Sequence, residues 1–255
     1  MEQMLRPAIS TIEFTNACNF SCHYCQRTNE DGIRKNGMLK YDLVKQMVER
    51  GDFENTVYIE FQQNGEPTIH PKFNELVELI KTVVPYVGMS TNASFMKFKH
   101  NPIEGVKLMD CITISVHQET RQDEIEAVLT ALKGSKCRVR IQTLNNQTHA
   151  IDMDFLRENY SVFIDDYEIR EWQKDYGKKD FCIDVKTSVT IQYDGDVVPC
   201  CNVVGKQKVI GNVHEQSIEQ IWANYDKKMF SYCATCKTPS PYAKRLNFFA
   251  ETMNL

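Results

Sequence analysis

The sequence predicts an α/β fold in which βα units surround a parallel sheet, followed by a smaller second part stapled by cysteines. Three observations predict it. Short strand-like apolar runs alternate with segments of helical periodicity from residue 8 to residue 144, that rhythm changes near residue 168, and the cysteines gather in two groups, one on either side of the change.

The elements follow in order. Residues 8–15 alternate like a strand and run straight into Cys18, Cys22 and Cys25, so this cysteine group sits on a loop after a strand. From Tyr41 to Arg50, Leu43, Val44, Met47 and Val48 have helical spacing, with Gly51 as a stop signal. Thr56–Gln62 reads as a strand. Phe73, Leu76, Leu79, Ile80 and Val83 mark a second helix closed by Pro85, and Tyr86–Ser90 is a short strand. Cys111–Val116 is another strand, Ile125, Val128, Leu129 and Leu132 line a helix ending at Gly134, and Cys137–Leu144 is a strand rich in β-branched residues. Beyond a boundary near residue 168, Thr187–Tyr193, Asp194-Gly195 and Asp196–Cys200 form a hairpin signature, with Asp-Gly expected to supply the positive φ angles of a tight primed turn. A short helix opens at Ser217 with Gln220 at capping-box spacing and carries Ile218, Ile221 and Trp222 on its apolar side. This second part, residues 169–255, is too small to stand on hydrophobic burial alone, and a metal cluster would act as its staple.

Composition limits the function. With 30 Lys+Arg against 34 Asp+Glu, the net charge of −4 supplies no field to gather a nucleic-acid backbone or an anionic membrane. The start, with an early acid and a proline, lacks the basic end and apolar stretch of a signal peptide, and no run approaches membrane-spanning length. A cytoplasmic protein is expected. Ten cysteines in a reducing compartment point to metal or catalysis rather than disulfides. Cys111 and Cys137, each bordering an apolar strand, read as small buried hydrophobes.

Cys18-x3-Cys22-x2-Cys25 offers three thiolates within eight residues, enough to hold three irons of a cubane and leave the fourth without a protein ligand. A zinc site would need a fourth ligand, for which His23 stands nearest, and that is the weaker reading. With Tyr24 before the third cysteine, the spacing resembles the signature of the radical S-adenosylmethionine enzymes. That resemblance implies a partial (β/α) barrel whose strand C-termini face one mouth, a 4Fe–4S cluster with three cysteine ligands, and S-adenosylmethionine as cofactor. It also implies cleavage of that cofactor to a 5′-deoxyadenosyl radical able to remove hydrogen from an unactivated carbon. Gly65-Glu66-Pro67 is similar to the family's Gly-Gly-Glu-Pro motif, whose backbone and carboxylate receive the methionine ammonium group, with Asn64 in place of the first glycine. Ser90-Thr91-Asn92, Ser115 and Ile141-Gln142 are similar to positions that contact the ribose, carboxylate and adenine.

Cys182, Cys200, Cys233 and Cys236 supply a second, closed set of four thiolates, which a zinc ribbon would also satisfy. The segments Asp194–Cys200 and Ile210–Trp222 resemble the SPASM/twitch group of the same family, which implies one auxiliary 4Fe–4S cluster. Cys200 is chosen over Cys201 because the family's cysteine follows the proline, although strand neighbours point opposite ways and the choice is reversible. Length, layout and spacing are most similar to the dehydrogenase branch of that group, whose 2-deoxy-scyllo-inosamine dehydrogenases of butirosin biosynthesis oxidise an aminocyclitol alcohol. The expected activity is therefore a two-electron oxidation of a small polyol, sugar or aminocyclitol, with the auxiliary cluster as electron acceptor and a flavodoxin or ferredoxin as donor. Rival readings are maturation of a ribosomally made peptide, for which the chain is short of a separate recognition domain, epimerisation using a thiol such as Cys201 or Cys111, and a non-catalytic zinc or iron–sulfur module. Arg170 and His117, near strand ends, are the candidate catalytic residues. Trp172, Gln62 and Gln142 are candidate substrate contacts. His70, His100, His149 and His214 are assigned surface or capping roles.

Overall fold

In the computed structural model, described over residues 6–22, 25, 27, 34–144, 149–167, 182, 184–203, 208–226 and 250, one sheet organises the chain. Its strands are β1 (Ala8–Ile12), β2 (Tyr58–Phe61), β3 (Tyr86–Thr91), β4 (Cys111–Ser115), β5 (Arg138–Leu144), β6 (Val162–Tyr167), β7 (Ser188–Ile191), β8 (Asp196–Val198) and β9 (Gly211–Asn212). The order is β6-β5-β4-β3-β2-β1-β7-β8-β9. Pairing is parallel from β6 through β1 to β7 and antiparallel only at β7–β8 and β8–β9. Parallel strands need crossovers, and these are α1 (Tyr41–Glu49), α2 (Phe73–Lys81), α3 (Ile103–Lys107), α4 (Gln122–Ala131) and α5 (Met153–Asn159), followed by α6 (Asp184–Thr187) and α7 (Ile218–Asn224). The arrangement is the expected partial (β/α) barrel, with β6 and β9 at its two edges.

Register sorts the sheet into two faces. Thr11, Glu60, Gly88 and Cys111 stand side by side, and so do Ile12, Phe61, Met89 and Ile112 one residue further on. Successive side chains point to opposite faces, so the second row and its repeats face the helices. There they share one core with Leu43, Val44 and Met47 of α1, Leu76 and Ile80 of α2, Val128 and Leu129 of α4, and Ile221 of α7. The first row faces the barrel lumen. Tyr58 and Cys111 line its floor, the Tyr58 hydroxyl lying 3.6 Å from Cys111 Sγ.

Two features depart from expectation. α3, α5 and β6 carry no strong pattern in the sequence; Phe155 and Phe163 point outward, 38 % and 47 % exposed, which spoils the periodicity. The β7–β8 connection is not a primed two-residue turn. Gly195 N–H donates to the Gln192 carbonyl (2.9 Å), Gln192 N–H donates to the Asp196 carbonyl (2.8 Å), and Gly195, at φ +84°, alone takes a positive φ while Asp194 does not. The loop is therefore three residues long with glycine in the left-handed position. The capping box at Ser217 and Gln220 forms as expected. α7 is further held by the Asp52 carboxylate, which accepts from Ile218 N–H at 3.0 Å. Among the described residues, no helix is long and apolar enough to cross a membrane.

Candidate cluster and cofactor site

The first cysteine loop leaves β1 and returns to it. Thr15 pairs with Met38 in an isolated bridge, its hydroxyl donates to the Gly37 carbonyl (2.6 Å), and the Asn16 amide holds Lys35 O (3.2 Å) and Gly37 N–H (2.8 Å). Both ends of the loop are thus pinned where the strands end. Within it Cys18, Cys22 and Cys25 are half-buried. Phe20 N–H and the Asn92 amide approach Cys18 Sγ at 3.5 and 4.0 Å, and Cys25 N–H donates to the Cys22 carbonyl at 3.0 Å. Burial, with Glu66 adding to it, pushes the Cys18 thiol up to about 11. Among the described residues no three His, Cys, Asp or Glu side chains are drawn together as a cage for a single metal ion. Three thiols on one loop, with an N–H donor aimed at sulfur, do fit a cluster bound by thiolates.

The turn after β2 lies directly against this loop. A Cβ on Gly65 would sit 2.1 Å from the Thr15 carbonyl oxygen and 2.6 Å from that of Ala17, so only glycine allows the approach. Glu66 N–H donates to the Ala17 carbonyl (2.9 Å). The Glu66 carboxylate is 2 % exposed and turned inward. One oxygen accepts from the Thr68 and Thr91 hydroxyls (2.6 and 2.9 Å) and the other from Asn92 N–H (2.8 Å). Among the described residues no cation pairs with it, and burial raises its pKa. Asn92 is presented by Ala93, which takes a left-handed φ of 65°, and the Asn92 amide donates to Asn19 of the cluster loop (3.0 Å).

The remaining expected positions divide between the two faces. Ser90 donates to Glu60 (2.9 Å) inside the lumen. Ser115 and Gln142 are register partners, both half-buried, on the lumen face. Ile141 is fully buried in the helix-side core, so its side chain points away from that face. The His117 ring lies edge-on to Phe20 of the cluster loop, with centroids 6.1 Å apart. Gln62 is half-buried at the end of β2. Tyr24, Arg170, Trp172, Cys233 and Cys236 lie outside the described residues. His70 and His100 cap the Leu39 and Thr68 carbonyls (2.8 and 2.7 Å), as assigned.

Two elements were not read from the sequence. Glu13, fully buried just after β1, accepts with both carboxylate oxygens from Nη2 of Arg34 of the cluster loop (2.6 and 2.7 Å) and also accepts from Asn64 N–H (3.3 Å) and Tyr193 N–H (3.2 Å). Burial pushes the Glu13 carboxyl up, and the Arg34 charge opposes it. Arg34 lies 5.1 Å over the Tyr193 ring, whose hydroxyl donates to Lys35 O (2.6 Å), so the β7–β8 loop is clasped to the cluster loop. Glu119, after β4, accepts from Ser21 N–H (3.2 Å). Neither had a local signal: each partner is remote in sequence.

In the second cysteine group Cys182, Cys200 and Cys201 are half-buried. Asn202 N–H approaches Cys200 Sγ at 3.4 Å, repeating the N–H to sulfur contact at Cys18. The neighbouring Cys201 thiol, burial and Asp184 push the Cys200 pKa well up. The turn that packs on the first cysteine loop also reaches this one: the Gln63 amide donates to the Val203 and Cys201 carbonyls at 2.9 and 3.5 Å.

Comparison with known proteins agrees with this geometry. The model of the radical SAM superfamily matches residues 12–150, more than half of the chain, and that of the SPASM iron–sulfur cluster-binding domain matches residues 182–240. The tungsten-containing aldehyde ferredoxin oxidoreductase cofactor-modifying protein of Pyrococcus furiosus is 30% identical over 86 residues, 33% of this chain and 24% of that protein. A probable GTP 3′,8-cyclase of Thermococcus kodakarensis is 27% identical over 130 residues, 48% of this chain and 41% of that one. The chain thus spans less than half the length of these curated relatives. A crystal structure of BtrN in complex with AdoMet and 2-DOIA aligns with a TM-score of 0.59 at 17% identity, covering 93% of this chain and 89% of BtrN. Streptococcus suis SuiB bound to S-adenosylmethionine aligns with a TM-score of 0.62 at 13% identity, covering 93% and 74%. At these identities the likeness is one of fold.

Proposed function

The chain belongs to the radical S-adenosylmethionine superfamily and carries a SPASM-type iron–sulfur domain, and from that premise we propose an oxidoreductase that oxidises an alcohol of a small polyol, sugar or aminocyclitol. When bound, S-adenosylmethionine and its reduced 4Fe–4S cluster supply a 5′-deoxyadenosyl radical that takes hydrogen from carbon, and an auxiliary 4Fe–4S cluster supplies an acceptor for the second electron. Cys18, Cys22 and Cys25 would hold the first cluster and Cys182, Cys200, Cys233 and Cys236 the second, with a flavodoxin or ferredoxin as electron donor. The division near residue 168 is supported by the gap between the two matched stretches.

One observation carries this reading: the turn at 63–66 touches both cysteine loops, Gly65 and Glu66 the first and Gln63 the second. A substrate beneath that turn would lie between hydrogen abstraction and electron acceptance. The lumen it would enter is lined by hydrogen-bonding groups, Thr11, Glu60, Ser90 and Arg140 among them, which suits hydroxyls. Each candidate residue has a part. Because the Glu66 carboxylate is consumed internally, it sets the turn, and the main chain of Gly65 is left for the methionine ammonium. Ser90, Thr91, Asn92, Ser115 and Gln142 line the cofactor side, with Tyr24 on the cluster loop, and Ile141 contributes through its backbone. His117, beside Phe20, would take the hydroxyl proton, and Arg170 would anchor the substrate.

Anaerobic reconstitution tests the reading. The expected result is about eight irons per chain, 5′-deoxyadenosine release under a strong reductant, and a ketone from 2-deoxy-scyllo-inosamine with no solvent deuterium at the oxidised carbon. Bound zinc without cofactor cleavage overturns it. Solvent deuterium at an inverted carbon makes the protein an epimerase, and a new thioether or carbon–carbon bond in a peptide makes it a peptide-modifying enzyme.

A further inference from the structure

Two lumen side chains have no part in the site described so far. Thr190 is the register partner of Thr11, and Gln192 follows two residues on, beyond the Ile12–Ile191 pair, so both face inward with Thr11 and Glu60. Both are fully buried (0 % exposed). Among the described residues, Thr190 Oγ1 and both Gln192 amide atoms, Nε2 and Oε1, have no hydrogen-bond partner. The main chain of Gln192 is by contrast fully engaged, its N–H with Asp196 and its carbonyl with Gly195. A buried carboxamide with both ends unpaired is rare in folded proteins, because each polar group has given up water for nothing.

The surroundings define what would pair with them. Side chains two residues apart on a strand stand roughly 7 Å apart, about the breadth of a polyhydroxylated six-membered ring. Amide and hydroxyl each donate and accept, as vicinal hydroxyls require. Among the described residues, the charges on this face include the Glu13 carboxylate, which accepts from Arg34, the Glu60 carboxylate, which accepts from Ser90, the Asp196 carboxylate opposite Gln192, which accepts from the Asn212 amide, Arg140, paired with Asp165, and the exposed Arg138 at the start of β5. Nothing there favours a phosphate or carboxylate, and Glu60 favours an ammonium.

We propose that Thr190 and Gln192 form a hydroxyl-reading subsite on β7 that selects neutral or ammonium-bearing polyols and excludes anions; the inference rests on the alcohol-oxidising reading above. The test uses Gln192→Met and Thr190→Val in the reconstituted holoenzyme. The first readout needs no substrate: if these atoms exist to read a ligand, the thermal midpoint of each variant equals or exceeds that of the wild type, because an unpaired buried group has been removed. A fall in the midpoint of both variants makes them structural and overturns the inference. The second readout is KM for 2-deoxy-scyllo-inosamine and for myo-inositol, expected to rise roughly tenfold in each variant, with kcat moving less than about twofold. An unchanged KM for a probe the wild type oxidises overturns the subsite while leaving the reaction standing. If the wild type oxidises neither probe, the alcohol-oxidising reading fails, and the subsite is then decided by the thermal midpoints.

Discussion

On the helix-covered face of the sheet Ile59, Phe61, Val87, Met89, Ile112 and Ile114 are buried and apolar, while on the lumen face Thr11, Glu13, Glu60, Thr190 and Gln192 are buried as deeply and are polar. Burial therefore has opposite signs on the two sides. Each large apolar side chain on the outer face contributes about 1.5–3 kcal/mol. On the inner face each group has lost water: Glu13 is compensated by Arg34 and Glu60 by Ser90, while the Thr190 hydroxyl and the Gln192 amide have no hydrogen-bond partner among the described residues. The outer face stabilises the barrel, and the inner face uses some of that stability to keep a polar lumen at the strand ends. The same strands do both, because alternation forces every strand to present one side to each.

The sharpest way to break the comparison is to remove a member of the outer face. Phe61 is fully buried and stacked on Phe14 with ring centroids 4.5 Å apart. Phe61→Ala should lower unfolding free energy by about 3–5 kcal/mol, read from denaturant midpoints; a loss below about 1 kcal/mol would show that this face can collapse and does not set stability.

On the inner face the largest effect should come from Glu13. Glu13→Gln leaves the Arg34 guanidinium, 5 % exposed, in the protein without its counter-charge. A loss of about 3 kcal/mol is expected, together with release of the Tyr193 clasp. The double variant Glu13→Gln/Arg34→Met should recover most of that loss. A double variant as unstable as the single one would assign the effect to packing, and the inner face would then differ from the outer one only in composition.

The legibility of the two faces differs for the same reason. Helices α1, α2 and α4 and strands β1 to β5 were readable because their outer residues recur at regular local spacing. α5 was not, since Phe155 faces outward, and β6, where Phe163 also faces outward, shows only as a strand-like end before Arg170. The cysteine loop and Gly65-Glu66 were readable because motif chemistry needs neighbours in sequence. The Glu13–Arg34 pair spans 21 residues, the Tyr193 contact to Glu13 spans 180, and β7 joins β1 across most of the chain. Such contacts follow from topology, which local patterns do not encode. Cys111 shows the limit in one residue: an apolar strand context predicts a small hydrophobe, and it is buried, yet its sulfur lies on the lumen face against a tyrosine hydroxyl.

That cysteine gives the finest test. Burial pushes the Cys111 thiol up from the usual 9 to about 12, with the Tyr58 hydroxyl acting in the opposite direction. The folded protein therefore keeps a proton that the unfolded chain gives up. Its contribution to stability is complete below pH 9 and is lost as pH rises through that value toward about 12. The slope is at most about 1.4 kcal/mol per pH unit. Cys111→Ser keeps a hydroxyl beside Tyr58 but has no thiol to ionise, so the difference between wild type and variant in denaturant midpoints should drift in the variant's favour across that window. A constant difference would mean that the thiolate is tolerated on the lumen floor, and so that the floor admits water. The same result would predict ready alkylation of Cys111 in the folded protein, where a floor sealed by Tyr58 keeps it slower to react than the half-buried Cys201.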